Sequence, residues 1–118
     1  MELEMPLPDS PLSDPLVELI ARRFRAMGEP MRIRILDRLR DGELTVGEIA
    51  DAIGASQQNV SKHLAVLTDA GILGRRKDGN RHCYRIVDDS VLEICEQVCG
   101  GLQQQLSELQ SLLEGARR

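Results

Sequence analysis

Apolar residues recur at helical spacing through four successive segments, switch once to alternation, and return to helical spacing for the rest of the chain. Leu16, Ile20, Phe24 and Met27 predict a first helix, with Asp14-Pro15 as N-cap and first-turn proline and Gly28 as its stop. After Glu29-Pro30, the residues Met31, Ile35, Leu36 and Leu39 place the apolar face of a second helix that ends at Asp41-Gly42. Thr45, with Glu48 three residues later, is the signature of a capping box, in which hydroxyl and carboxylate each satisfy a free backbone donor. It opens a third helix with Val46, Ile49, Ala50 and Ile53 inward and Gly54 at its end. Ser56 opens a fourth, whose stripe is Val60, Leu64 and Leu67 and whose stop is Gly71.

The alternating segment follows at once. ILGRR and RHCYRIV flank Lys77-Asp78-Gly79-Asn80, where Asp-Gly signals a hairpin turn. Alternation sets His82, Tyr84 and Ile86 on one side and Arg81, Cys83 and Arg85 on the other, so Cys83 is expected to point outward. From Asp89 onward Leu92, Cys95, Cys99, Leu102, Leu106, Leu109 and Leu113 repeat in steps of three and four, an unbroken heptad seam. A domain this small cannot cover such a stripe, so a second copy of the chain, together with the first helix, is expected to do so. The expected fold is mainly α (α+β): a winged helix-turn-helix in the order helix, helix, helix-turn-helix, β-hairpin, long helix. Residues 1–13 read as an acidic, proline-rich tail, 14–118 as one domain, and about 88–115 as its dimerisation helix.

With 118 residues and 42% apolar content the chain suffices for one modest core. A single Phe and a single Tyr leave that core to aliphatic side chains. No apolar run reaches the roughly 20 residues of a membrane span, and Cys83, Cys95 and Cys99 lack the spacing of a disulfide framework. A cytoplasmic protein with reduced thiols, and no membrane partner, is the expectation. The net charge of −4 is unevenly divided: residues 1–20 carry −5, residues 56–86 carry +4 and residues 87–118 carry −4. A basic island in an acidic chain suits a surface that faces phosphate.

That island coincides with the fourth helix and the hairpin. At 100° per residue, and with the core face fixed, Gln58, Lys62 and Ala65 point outward, flanked by Asn59, Ser61 and Val66. Amides and hydroxyls can read base edges in a major groove, and a lysine suits phosphate or guanine. Arg75, Arg76, Lys77 and Arg81 surround the turn, as a wing laid along the backbone of double-stranded DNA requires. Taken singly, a polar helix face and a charged turn are ordinary solvated surface. Their order along the chain gives them weight.

These residues resemble the ArsR/SmtB family of bacterial repressors over roughly positions 16–100. FRAMGEPMRIRILDRL looks like the family's first two helices, ELTVGEIADAIGASQQNVSKHLAVLTDAGIL like its helix-turn-helix and GRRKDGNRHCYRI like its wing. The resemblance implies a dimeric repressor on an inverted-repeat operator, released by an inducer that is often a metal ion, a metalloid or a thiol oxidant. By position, Ser56, Gln57, Gln58, Asn59, Ser61, Lys62 and His63 match its recognition helix. The family's metal sites do not carry over: Thr45, Val46 and Gly47 stand where third-helix cysteines occur, and Val91, Leu102 and Gln105 where last-helix histidines occur, although Asp89 is present. The second helix also lacks the cysteine of the persulfide-sensing branch.

Cys95 and Cys99 are four apart on one helix face and both belong to the seam. One reading is that of small buried hydrophobes. The other is an inducer or redox site that takes a thiophilic ion such as arsenite, or a thiol-reactive signal. Gly100-Gly101 beside them, costly inside a helix, points to close backbone approach or local flexibility. Cys83 reads as incidental, His82 as packed at the base of the hairpin, and His63 as a DNA contact. Two histidines and no paired carboxylates in a cleft offer nothing that resembles a catalytic centre, so the chain is not expected to be an enzyme. The alternatives to an inducible repressor are a constitutive one without an inducer site and a winged-helix protein-interaction module that uses the leucine seam.

Overall fold

The computed structural model describes residues 11–116. The expected tail lies mostly at positions 1–10, outside the described residues. Each of the four leading helices starts on a side-chain cap. In α1 (Asp14–Met27) the cap is Ser13, one residue before the expected Asp14, and its hydroxyl accepts from the Leu16 amide at 3.4 Å. In α2 (Pro30–Leu39) the Glu29 carboxylate accepts from the Arg32 amide at 3.1 Å. The capping box of α3 (Val46–Ile53) is complete, the Glu48 amide donating to Thr45 Oγ1 at 3.2 Å and the Thr45 amide to Glu48 Oε1 at 2.9 Å. Gly54 then turns the chain with φ 67°, a left-handed conformation that glycine adopts without steric cost. Ser56 caps α4 (Gln57–Asp69) through the Asn59 amide at 3.1 Å.

The core forms where these helices meet. Ile35, Leu36 and Leu39 of α2, Ile49 and Ala50 of α3, and Val60, Leu64 and Leu67 of α4 are buried, as the spacing predicts, with Met27 of α1 beside them. Each large aliphatic side chain taken from water in this way stabilises the fold by about 1.5–3 kcal/mol. The helix-turn-helix is thereby fixed: α3 and α4 share one core across the Gly54-Ala55 turn.

Three strands form one antiparallel sheet in the order β1-β3-β2, where β1 is Leu44–Thr45, β2 is Leu73–Asp78 and β3 is Arg81–Ile86. The sequence announces only a hairpin; β1 is a two-residue strand, too short to show a period. It overturns one expectation. Cys83 is buried, because β3 is the central strand and Cys83 stands between Thr45 of β1 and Arg76 of β2 in the same row. The hairpin loop is Gly79-Asn80 rather than Asp78-Gly79, closed by the Asp78–Arg81 pair. Gly79 takes φ 62° at the first loop position, as a type II′ turn requires. His82, paired with Lys77, therefore lies near the tip of the hairpin and not at its base.

The last helix, α5 (Ser90–Ala116), starts from Asp88. Asp88 Oδ1 accepts from the Ser90 amide at 3.1 Å and from its hydroxyl at 2.6 Å, while Oδ2 takes the guanidinium of Arg23 on α1. Val91 is the buried anchor of the helix, and Ile94 and Cys95 pack partly on the core. From Glu96 to Ala116 every residue of α5 is exposed. None of the described helices is long and apolar enough to cross a membrane.

Candidate nucleic-acid interface

On α4 the residues that complete the core and those left outside separate cleanly. Val60, Leu64 and Leu67 are fully buried, whereas Ser56, Gln57, Gln58, Ser61, Lys62 and Ala65 are exposed and Asn59 is half-buried. The outer face thus presents amides, a hydroxyl and an ammonium within two turns of the helix N-terminus, with small Ala65 allowing close approach. Such groups can pair with both donors and acceptors on base edges, and a well-formed bidentate pair discriminates by about 1–3 kcal/mol.

His63 departs from its expected place. It is a bracing residue: Nδ1 lies 3.3 Å from Nη1 of Arg32 and 3.7 Å from a Glu29 carboxylate oxygen, and the ring is half-buried. Arg32 in turn donates from Nε to the Ala26 carbonyl at 2.6 Å and from Nη2 to the Arg25 carbonyl at 3.2 Å. One guanidinium therefore ties the end of α1 to α2 and to the flank of α4. The 100° wheel places His63 beside the polar face, but its partners lie far away in sequence and leave no local signal.

In the wing Arg75, Lys77 and Arg81 are exposed. Arg76 is engaged: its Nε lies 3.1 Å from both carboxylate oxygens of Glu43, and its Nη2 donates to Oε1 at 2.5 Å. This bond holds the Glu43 carboxyl below the usual carboxylate range and raises Arg76. The pair joins the wing to the residue before β1 and neutralises one of the four cations expected around the turn. Glu48 is also held low, chiefly by the backbone and hydroxyl bonds of Thr45, with Arg81 adding a weaker field.

Known proteins resolve what this geometry belongs to. Residues 27–76 match a family model described as a helix-turn-helix domain. The HTH-type transcriptional regulator Rv0081 of Mycobacterium tuberculosis is 35% identical over 106 residues, covering 89% of this chain and 93% of its own. Its crystal structure superposes with a TM-score of 0.72 over 81% of this chain and 97% of that one. The homodimeric winged helix-turn-helix DNA-binding domain Mb0332 of Mycobacterium bovis, named as a possible ArsR-family regulator, is 30% identical with a TM-score of 0.73, over 85% and 95% of the two chains. The chain belongs to the ArsR/SmtB family. It is a winged helix-turn-helix transcriptional regulator of the DNA-binding type. Another neighbour in structure is the antimony-specific transcriptional repressor AntR, with a TM-score of 0.74 and 31% identity over 91% of this chain and 98% of that one.

In this ArsR/SmtB chain the seam of α5 divides in two. Leu92 and Cys95 are half-buried against their own domain, whereas Cys99, Leu102, Leu106, Leu109 and Leu113 are exposed, Leu106 by 65%. Leu19, Ile20 and Phe24 of α1 are exposed as well, and Phe24 lines one depression together with Ile94 and Val98 of α5. The two apolar strips are therefore continuous. Cys95 and Cys99 lie on the side of the seam that faces α2, where both line a groove with Ile33 and Leu36. Burial, reinforced by the negative charge of Asp37, pushes the Cys95 thiol up. Gly100 and Gly101 have open space where a Cβ would stand, so among the described residues no close approach requires them.

Proposed function

We propose that this regulator is a homodimeric repressor that holds an inverted-repeat operator through α4 and the wing of each copy and is released by a thiol-directed inducer. The observation that carries the reading is α4 itself, whose apolar stripe is wholly consumed by the core while Gln57, Gln58, Ser61 and Lys62 stay outside on the second helix of a helix-turn-helix. Ser56 and Asn59 fix its N-terminal turn against the phosphate backbone. Arg75, Lys77 and Arg81 supply non-specific affinity, with Arg76 held back by Glu43. The exposed leucines of α5 and the apolar face of α1 support dimerisation, because a continuous apolar surface of this kind marks a protein interface. The homodimeric state that Mb0332 carries in its name agrees with it.

The inducer reading rests on Cys95 and Cys99. The name of AntR gives a thiophilic metalloid as the ligand of one neighbour. Among the described residues no three His, Cys, Asp or Glu side chains converge, so one chain offers an ion such as arsenite two thiols only. Further donors would have to come from a second copy.

A gel-shift titration against the region upstream of the protein's own gene tests the reading. Saturable binding is expected, with the Lys62→Ala, Arg81→Ala variant weakened and its salt slope reduced by about one unit per phosphate contact removed. Undiminished binding by that variant, or no saturable binding at low salt, overturns it; the latter is the behaviour of a protein-interaction module. For the inducer, DNA release by arsenite or a thiol oxidant should be lost in a Cys95→Ser, Cys99→Ser protein, and equal release in both contradicts the cysteine reading.

A further inference from the structure

The groove between α2 and α5 encloses about 470 Å³, within the roughly 300–1,000 Å³ typical of small-molecule sites. Ile33 and Leu36 form its α2 wall; Leu92, Cys95 and Cys99 form its α5 wall. Four charged residues also line it, Arg34, Asp37, Arg40 and Glu96, two of each sign, and of these Arg40 and Asp37 pair at 3.3 Å. The lining carries no net formal charge, is mainly apolar, and contains two sulfurs.

Three kinds of thiol chemistry can be compared there. A disulfide across the groove needs a thiol on α2, and α2 has none. A disulfide between Cys95 and Cys99 must bring together Cβ atoms that a helix keeps about 5–6 Å apart, against the roughly 3.5–4.5 Å of a disulfide, so α5 would have to unwind. A soft ion finds two donors in one chain. Capture of a carbon electrophile needs one thiol and an apolar wall, and both are present.

The geometry points to this groove as the site where the protein captures a small, apolar carbon electrophile, a quinone or an enone, by covalent addition of the Cys99 thiol. This deepens the thiol-directed inducer reading and rests on it. Cys99 is the exposed sulfur, while Cys95 is half-buried and its thiol is held protonated, so Cys95 serves as a soft, polarisable part of the wall. With a quinone, the sulfur forms a bond to a ring carbon and the S–H bond breaks. The displaced carbon–carbon electron pair moves onto the ring oxygens, which take up the thiol proton and, on rearomatisation, the ring proton. The product is a hydroquinone thioether in which sulfur stays divalent; the ring carbon that exchanges hydrogen for sulfur offsets the reduction of the two carbonyls, so the addition needs no oxidant. The adduct wedges α2 from α5, and because α2 packs against α3 and α4, its displacement reaches the reading helix.

The test treats the full-length protein with 1,4-naphthoquinone and maps the adduct by mass spectrometry, with iodoacetamide as a small polar reagent for the same thiol. Two variants fill the groove from opposite walls, Ile33→Trp and Gln103→Trp, and their melting curves check folding. Addition at Cys99 should slow by about tenfold in both, while iodoacetamide labelling of Cys99 changes by less than about twofold. Equal naphthoquinone rates in filled and unfilled proteins, equal slowing of both reagents, or an adduct confined to Cys83 overturns the proposal. Loss of the dimer in Ile33→Trp by sedimentation also overturns it, since a second copy would then occupy the groove. Operator binding of the untreated protein is measured separately: its absence defeats the repressor reading alone, whereas loss of selective addition defeats this site alone.

Discussion

Single side chains in this protein act mostly by closing helices or tying distant segments. Thr45 and Glu48 satisfy each other's free amides, so Thr45→Ala should cost about 1 kcal/mol in urea unfolding. Glu43 and Glu48 both titrate below the ordinary 4.5 in the folded chain, through Arg76 and Thr45 respectively. A depressed carboxyl contributes stability that is present above its unfolded value and lost as pH falls through its folded value. The urea midpoint should therefore drop as pH falls below about 4.5, and the drop should be shallower in a Glu43→Gln, Glu48→Gln protein; parallel curves would contradict the assignment. The capping box was legible because its two residues are three apart. The Glu43–Arg76 and Arg32–His63 contacts span 33 and 31 positions, and no local pattern announces them. That is why Arg76 and His63 read as DNA contacts in the sequence.

At the level of elements, the helices and the hairpin were legible and the third strand was not. Val60, Leu64 and Leu67 recur with the helical period and each is fully buried, so period and core agree. β1 has two residues and no period, and its absence from the sequence reading turned Cys83 outward. The same short strand explains a property of the wing, because Glu43 just before it holds Arg76. Glu43→Gln should release that guanidinium, tighten operator binding and steepen its salt dependence; unchanged affinity and slope would show that Arg76 never reaches phosphate. In α5 nothing among the described residues meets a Cβ at Gly100 or Gly101. Gly100→Ala should accordingly raise stability by up to about 1 kcal/mol, and a loss of stability would reveal a requirement for the glycine that the single chain does not show.

For the whole molecule, shape is the informative quantity. The radius of gyration is 18.3 Å and the long axis 63 Å, against about 13 Å for the radius of a compact domain of around 100 residues. The excess comes from α5, which leaves its domain after the first turns and exposes Leu102, Leu106, Leu109 and Leu113. Leu106→Glu, Leu109→Glu should yield monomers by sedimentation while leaving the helix-turn-helix core folded, since neither side chain touches that core. The heptad step made this seam legible; that Cys95 and Cys99 also face α2 depends on how α5 leans, which the step does not encode. Paired reading heads on such a dimer specify paired half-sites. Hydroxyl-radical footprinting of the protein on its own upstream DNA tests this most directly. Two protected half-sites in inverted orientation, with centres about 10–10.5 base pairs apart or a multiple of that, are the expected result; a single protected half-site, or uniform protection without symmetry, would contradict the account.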